Sequence, residues 1–485
     1  MSETQEAGRE RGAKTAQNLA AAILAQAAAR PGLRLGTVDD QVTLAGAAAL
    51  AAGRARELLG AGLRPGQRVA LVAPTSTDYV IMWLACLLAG APVALVNPTY
   101  PGELVRRMLA PLAPDLVLGR DEVGLARAAG RADPAGLPGL AAGPASIASF
   151  MHTSGTTGLP KFCAQSHEYF ARLAGAMAGA LDLGPADRVL APLPLFHINP
   201  MGYGIITSLL AGADALAVRR FSASALWPAV AGERITVLIL HAPPVEILKR
   251  ATSPADAAGH RVRTMFYADA GFLNRFGIPA AVSGYGSTEA GGISHLRRWL
   301  ATEDIPADAS RHGGAARRDI EWRLDDRGII LVREREPGAL FAGYVTENGI
   351  DPARSGSGWF DTADLGRARG DDYLVFLERA AESIRVKGEF VPIPYVENHL
   401  ASVAGLTDHA LWKRRGDLVD DEVVLYAVAD PLPIDGLRRR IADLPAFMRP
   451  VAVARVGALP RDAAAGKVQR RLLSEQPVLD WVELS

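Results

Sequence analysis

Only two cysteines occur in 485 residues, Cys86 and Cys163. They lie far apart without metal-ligand spacing, which excludes a disulfide framework and a cysteine zinc site and implies a reducing, cytoplasmic setting. Net charge is lacking too, since 52 Lys plus Arg balance 52 Asp plus Glu. With no global field, neither nucleic acid nor an anionic membrane is an expected partner, and any anionic ligand must be held by local groups. The first residues, MSETQEAGRERGAKTAQN, have no apolar signal-peptide core. Tyr79 to Val96 carries no charge and just reaches spanning length, but Gly90-Ala91-Pro92 interrupts it. A buried helix followed by a buried parallel strand is expected there, and no membrane span.

What the chain does have is apolar substance. Hydrophobic residues make up 49% and charged residues 21%, enough for a large core, and the length calls for two or more domains. Short apolar runs (RVALVAP, APVALVN, PDLVLG, RVLAPLP, ITVLILHAP) alternate with helical patterns such as GELVRRMLAPL. Continuous rather than alternating apolar strands indicate parallel sheets covered on both faces. From about Ile320 the texture changes, and EWRLDDRGIILVRE reads as a hairpin. The last hundred or so residues are more charged, with a strand in EVVLYAVAD and a helix in DGLRRRIADL. The expected fold is α/β: a large N-terminal domain, 1–378, of stacked, mostly parallel sheets with helices plus a β-rich subdomain, then a small α+β domain, 379–485.

One stretch concentrates polar chemistry. SIASFMHTS can be a strand, and SGTTGLPK follows at once. Glycines let backbone N–H groups converge on an anion, hydroxyls add donors, and Lys161 adds charge. The AQSHEYFARLAGAMAGAL beyond it reads as helix. A Walker loop is disfavoured, because proline precedes Lys161 where GxxxxGK[ST] has glycine. Taken alone, the stretch fits a polar structural turn as well as a phosphate loop.

Five further motifs follow in order: PLFHINPMGYG, GYGSTEAGG, GWFDTADLG, LERAAESIRVKGEFVPI and LPRDAAAGKVQRR. Six motifs in this order over some 320 residues resemble the adenylate-forming superfamily of acyl-CoA synthetases, firefly luciferase and peptide-synthetase adenylation domains. The resemblance implies attack of a carboxylate on the α-phosphate of ATP with pyrophosphate leaving. Both reactants are anions, so catalysis requires positioning and charge neutralisation.

By that resemblance Thr153, Ser154, Gly155, Thr156, Thr157, Gly158 and Lys161 hold the β/γ-phosphates. Gly284, Tyr285 and Gly286 pass the adenine, with Tyr285 stacking on it. Thr288 meets the α-phosphate, and Glu289 holds Mg²⁺, which prefers hard oxygen ligands. Asp364 binds the ribose diol, and Arg379 reaches ribose or phosphate. Lys467 bridges substrate carboxylate and α-phosphate, and His197 gates the acyl pocket and pantetheine tunnel. Asn199, Met201, Gly202, Tyr203, His241, Ala268 and Gly284 are expected to line the acid site. Glu382 matches the hinge of a mobile C-terminal domain, and Lys387, Gly388 and Glu389 match the loop that meets CoA. Asp269 is expected near adenine.

Several positions depart from the family pattern. Ala363 stands where glycine is usual, Glu378 replaces glycine, and Tyr395 replaces glutamate. Asp269 and Gly271 break a GGAPL-like turn, and LPRDAAAGK carries one extra residue before Gly466-Lys467. The expected protein is an ATP-, Mg²⁺- and CoA-using acid:CoA ligase of specialised biosynthesis, acting on a small carboxylic acid, with a bulky apolar or aromatic one preferred. Alternatives are a stand-alone adenylating enzyme that loads a carrier protein or other acceptor, an activator of an inorganic anion, and a non-catalytic nucleotide-binding relative. A homodimer is compatible with the resemblance.

Overall fold

The computed structural model of the chain describes residues 18–153, 159–370, 372–379, 384–387, 389–416, 421–461 and 468–484. The uncharged run at 79–96 divides as its composition requires. Thr77–Leu88 is helical, with the Ser76 hydroxyl accepting from the Tyr79 N–H at 3.0 Å as its N-cap. Every residue of that helix except Asp78 is buried. Gly90 takes a left-handed backbone, φ 75, and Val93–Val96 follows as a wholly buried strand. It runs parallel to Val69–Val72 on one side and Ile147–Thr153 on the other. Among the described residues no helix is long and apolar enough to cross a membrane.

The buried helix joins two sheets. Its Thr77 hydroxyl accepts from the Thr37 N–H in a 13-stranded sheet, and its Trp83 indole donates to Ser149 of a 7-stranded sheet. In the larger sheet, Arg34–Thr37, Asp214–Ala217, Arg188–Ala191, Val237–Ile239, Thr264–Phe266 and Ala280–Tyr285 lie side by side and parallel. Beyond Tyr285 this sheet continues through antiparallel pairs, and Ile320–Leu324 with Ile329–Glu334 form the expected hairpin. The change of pattern falls at the GYGSTEAGG motif.

By contacts the chain divides into two units. One holds the described residues of Met1–Pro98, Leu109–His152 and Phe162–Glu378; the other holds those of Thr99–Met108, Thr153–Lys161 and Arg379–Ser485. In the second, Asp408–Arg415, Asp421–Val428, Ala452–Val456 and Val478–Glu483 form a 4-stranded sheet accompanied by the helices Ile393–Leu400 and Ile434–Ala442. Glu397 ties this unit together: it accepts two hydrogen bonds from Arg470, each 2.8 Å, and one from the Leu411 N–H.

One local expectation is overturned. Ala164, Gln165 and Ser166, read above as the start of a helix, belong to the strand Lys161–Ser166, and the helix His167–Leu181 begins only after Ser166 caps it. Long-range pairing decides this, because Ala164 and Cys163 are in register with Gly343 and Tyr344.

Candidate active site

The chain turns from the strand Ala280–Tyr285 into His295–Leu300 through residues 286–294. Gly291 and Gly292 both have left-handed backbones, φ 72 and 74. A Cβ on Gly292 would sit 2.7 Å from Leu173 Cδ2, so glycine serves both conformation and space there. Ser287 accepts from the Ala290 N–H, making a serine turn, and no helix follows.

This loop is pinned from three sides. Tyr169 donates to the Thr288 carbonyl at 2.8 Å and Tyr203 to the Gly292 carbonyl at 2.6 Å. Arg317 donates to the Gly291 and Ile293 carbonyls at 2.8 and 2.9 Å. Its guanidinium is also paired through two nitrogens with Asp319, at 3.0 and 2.5 Å, and that arginine side chain is only 4% exposed. The consequence is a fixed position for Glu289, itself buried. The Glu289 backbone carbonyl accepts from the Phe341 N–H at 3.1 Å, and its Oε1 accepts from the Tyr344 phenol at 3.1 Å. No group of three His, Cys, Asp or Glu able to hold a metal occurs among the described residues. A lone carboxylate fits Mg²⁺ held by one protein oxygen ligand plus nucleotide phosphates, the usual mode for that ion.

Asp364 arrives by a different route. The strand Phe360–Ala368 pairs with Ile329–Glu334, but Leu331 faces Asp361 and Ile329 faces Leu365, so 362–364 bulge out of register. The Asp361 carboxylate accepts from the Ala363 N–H at 2.7 Å, and Thr362 donates its hydroxyl to the Ile330 carbonyl. Ala363 is forced to φ 54, the left-handed region where a Cβ is costly. A glycine would take this backbone without that cost. The bulge turns Asp364 inward to 5% exposure, where the Tyr285 phenol donates to its Oδ2 at 2.9 Å. Two motifs 79 residues apart thus meet through one hydrogen bond. The Tyr285 ring also lies against Phe376, 5.8 Å away and nearly parallel. His295 follows in the adjoining strand, and burial pushes it down to about 3, so it is neutral.

Among the residues expected to line the acid site, Asn199–Ile206 forms a π-helix, a rare geometry that often marks function. It carries Asn199, Met201, Gly202 and Tyr203, with the Thr207 hydroxyl donating to the Gly202 carbonyl at 2.7 Å. Gly202 is needed for close packing, since a Cβ there would lie 2.9 Å from Leu173 and Ile198 carbons. Tyr203 packs edge-on to Phe266 at 5.1 Å. His197 precedes the π-helix, half-buried, its ring 4.6 Å from Phe196 and 5.9 Å from His152. His241 immediately precedes the helix Ala242–Ala251, and Ala268 is buried. Before Ala268, Tyr267 has φ 90, a strained conformation for an aromatic residue, with its N–H bonded to the Val282 carbonyl at 2.8 Å. Asp269 is engaged locally: it caps the helix Ala270–Phe276 through the Phe272 N–H and pairs with Lys249 at 3.2 Å.

Thr153 ends the strand Ile147–Thr153, and Lys161 begins Lys161–Ser166. In the second unit Lys387 turns a short hairpin between Arg385–Val386 and Glu389–Phe390 with φ 53, as a tight hairpin turn demands. Ser154, Gly155, Thr156, Thr157, Gly158, Glu382, Gly388 and Lys467 lie outside the described residues, as does the Arg379 side chain. Sequence reading missed Tyr169, Tyr344 and Arg317. Their only signal was polar groups set in otherwise apolar or turn-rich contexts.

Residues 23–344 match the family model described as AMP-binding enzyme. Among curated relatives, 4-coumarate--CoA ligase 5 of Oryza sativa subsp. japonica is 25% identical over 472 residues, covering 84% of this chain and 85% of the relative. Long-chain-fatty-acid--CoA ligase FadD13 of Mycobacterium tuberculosis is 26% identical over 485 residues, covering 91% and 94%. Among solved structures, a double mutant of o-succinylbenzoate CoA synthetase from Bacillus subtilis superposes with TM-score 0.79 at 21% identity, covering 95% of this chain and 98% of that one. The amide bond synthetase McbA from Marinactinospora thermotolerans gives 0.76 at 21%, covering 94% and 98%. At such identities these structures speak for the fold.

Proposed function

Because the chain belongs to the AMP-binding enzyme family, we propose that it is an ATP-dependent carboxylic acid:CoA ligase working through an acyl-adenylate. An oxygen of the acid attacks the α-phosphorus of ATP, the bond to pyrophosphate breaks, and an acyl-AMP mixed anhydride forms. The CoA thiolate then attacks the acyl carbon, and AMP leaves with the electron pair of the broken C–O bond. The observation that carries this reading is the meeting of Tyr285 with Asp364, which joins two nucleotide motifs beside the loop bearing Glu289.

In this reading Asp364 offers carboxylate oxygens to the ribose diol, and Tyr285 orients it while supporting the adenine. Glu289 holds the Mg²⁺ that accompanies ATP; when bound, that ion neutralises phosphate charge during the displacement. Thr288 donates toward the α-phosphate, and Lys161 with residues 153–158 covers the β/γ-phosphates. The π-helix residues and His197, His241, Ala268 and Gly284 shape the acid site. Tyr203, Phe266 and Met201 give it apolar and aromatic walls, which favours an apolar or aromatic acid. Residues 379–485 act as the lid, delivering Lys467 for adenylation and residues 387–389 for thioester formation, with Glu382 at the hinge.

A panel of carboxylic acids incubated with ATP, with and without CoA, and read by mass spectrometry tests this. An acyl-AMP without CoA and an acyl-CoA with it are expected from at least one aromatic or apolar acid. Acyl-AMP with every acid tried but no thioester would move the acceptor to a carrier protein or an amine. Absence of pyrophosphate release from all acids would overturn the reading.

A further inference from the structure

Tyr344 belongs to none of the six sequence motifs, yet it touches the most consequential carboxylate of the loop. It lies on the strand Gly343–Thr346, which hairpins with Gly349–Asp351 and pairs along its other edge with Lys161–Ser166. Tyr344 itself is in register with Cys163, and the Ala342 N–H donates to the Ala164 carbonyl at 2.8 Å. Phe341 packs edge-on to the Tyr344 ring at 5.0 Å and gives its N–H to the Glu289 carbonyl. Residues 341–344 therefore hold Glu289 twice, by its backbone and by its side chain, while being paired to the strand that Lys161 begins.

We infer that Tyr344 is a positioning residue: its phenol holds Glu289 Oε1 so that the carboxylate presents one orientation to the divalent cation accompanying ATP. A glutamate has three side-chain torsions, and fixing them before the ligand arrives removes an entropic cost from metal binding. Phe341 and the pairing with Cys163 fix the phenol in turn. The inference rests on the reading of Glu289 as the metal ligand.

Calorimetric titration of a non-hydrolysable ATP analogue into the full chain, with excess Mg²⁺ or with EDTA, separates the possibilities. Wild type, Tyr344→Phe, Glu289→Gln and the double variant are compared. Wild type is expected to bind the analogue more tightly with Mg²⁺ than in EDTA. Tyr344→Phe is expected to keep its affinity in EDTA and to lose about threefold to tenfold of the gain from Mg²⁺, the effect of one hydrogen bond to a charged group. Glu289→Gln should lose the whole gain, and Tyr344→Phe should then add nothing in that background.

Full Mg²⁺ gain in Tyr344→Phe, additive losses in the double variant, or an equal loss in EDTA would overturn the positioning role. No Mg²⁺ gain in wild type, or an undiminished one in Glu289→Gln, would instead overturn the reading of Glu289 itself.

Discussion

Two segments each bring one buried carboxylate inward, and they do it by opposite means. The 286–294 loop carries Glu289 on a backbone relieved by glycine and tied by Tyr169, Tyr203 and Arg317. The strand Phe360–Ala368 carries Asp364 on a bulge whose left-handed residue is alanine, held by Asp361 and Thr362. In the first, unstrained backbone is fixed by many side-chain bonds; in the second, strain is accepted and a few local bonds contain it. Both end with a tyrosine phenol on the carboxylate. Position can thus be supplied by external ties or by backbone torsion, and the two should respond differently to substitution.

The largest effect is expected at the ties. Arg317→Met leaves buried Asp319 with the more distant Arg172, 3.6 Å away, and frees two carbonyls of the loop, so unfolding free energy should fall by about 2–4 kcal/mol in urea titrations. A loss under about 1 kcal/mol would mean the loop stands without that tie. Next come the carboxylates. Glu289→Gln should lower the rate of acid-dependent pyrophosphate exchange about a hundredfold or more, and Asp364→Ala should raise the KM for ATP about tenfold. If Asp364→Ala changed only the KM for the acid, its place at the ribose would be lost.

Acid should weaken the first segment through the histidine that follows it. His295 and His167 are both lowered by burial, to about 3 and about 4. Below the ordinary histidine range, near 6.5, the unfolded chain takes up protons that the folded one refuses, so stability rises with pH across that window and falls as pH drops. Each histidine contributes up to about 1.4 kcal/mol per pH unit, lost from about pH 6.5 downward. Urea midpoints at pH 7 and 5 should differ in that direction, and His295→Gln should reduce the difference.

The smallest effect sharpens the comparison most. Ala363→Gly relieves about 1–2 kcal/mol of left-handed strain but gives back part of it as unfolded-chain entropy, leaving a gain of under about 1 kcal/mol. Gly292→Ala, with the same handedness of backbone, should destabilise by about 1–3 kcal/mol because Leu173 also blocks the methyl. Substitutions of equal sign at the two sites would show that the bulge is not strained.

Much of this was legible beforehand because it rests on local chemistry. The break at Gly90-Ala91-Pro92 ended a helix, the Asp-Asp-Arg-Gly turn made a hairpin, and Tyr285, Glu289 and Asp364 were named from their motifs. What was misread depended on partners distant in the chain. Ala164–Ser166 looks helical until pairing with Gly343 and Tyr344 draws it into a sheet.

By itself, then, the sequence determined element types, the order of motifs and the reaction class they resemble, since periodicity, turn residues and motif spacing are properties of neighbouring residues. Tertiary structure alone decided that Ala363 is left-handed, that Tyr285 reaches Asp364, and that Tyr344 reaches Glu289. Those facts depend on strand register and on contacts between segments 55 and 79 residues apart. Such contacts form only when burial of the shared core brings the segments together, and no local pattern of residues encodes where they will meet.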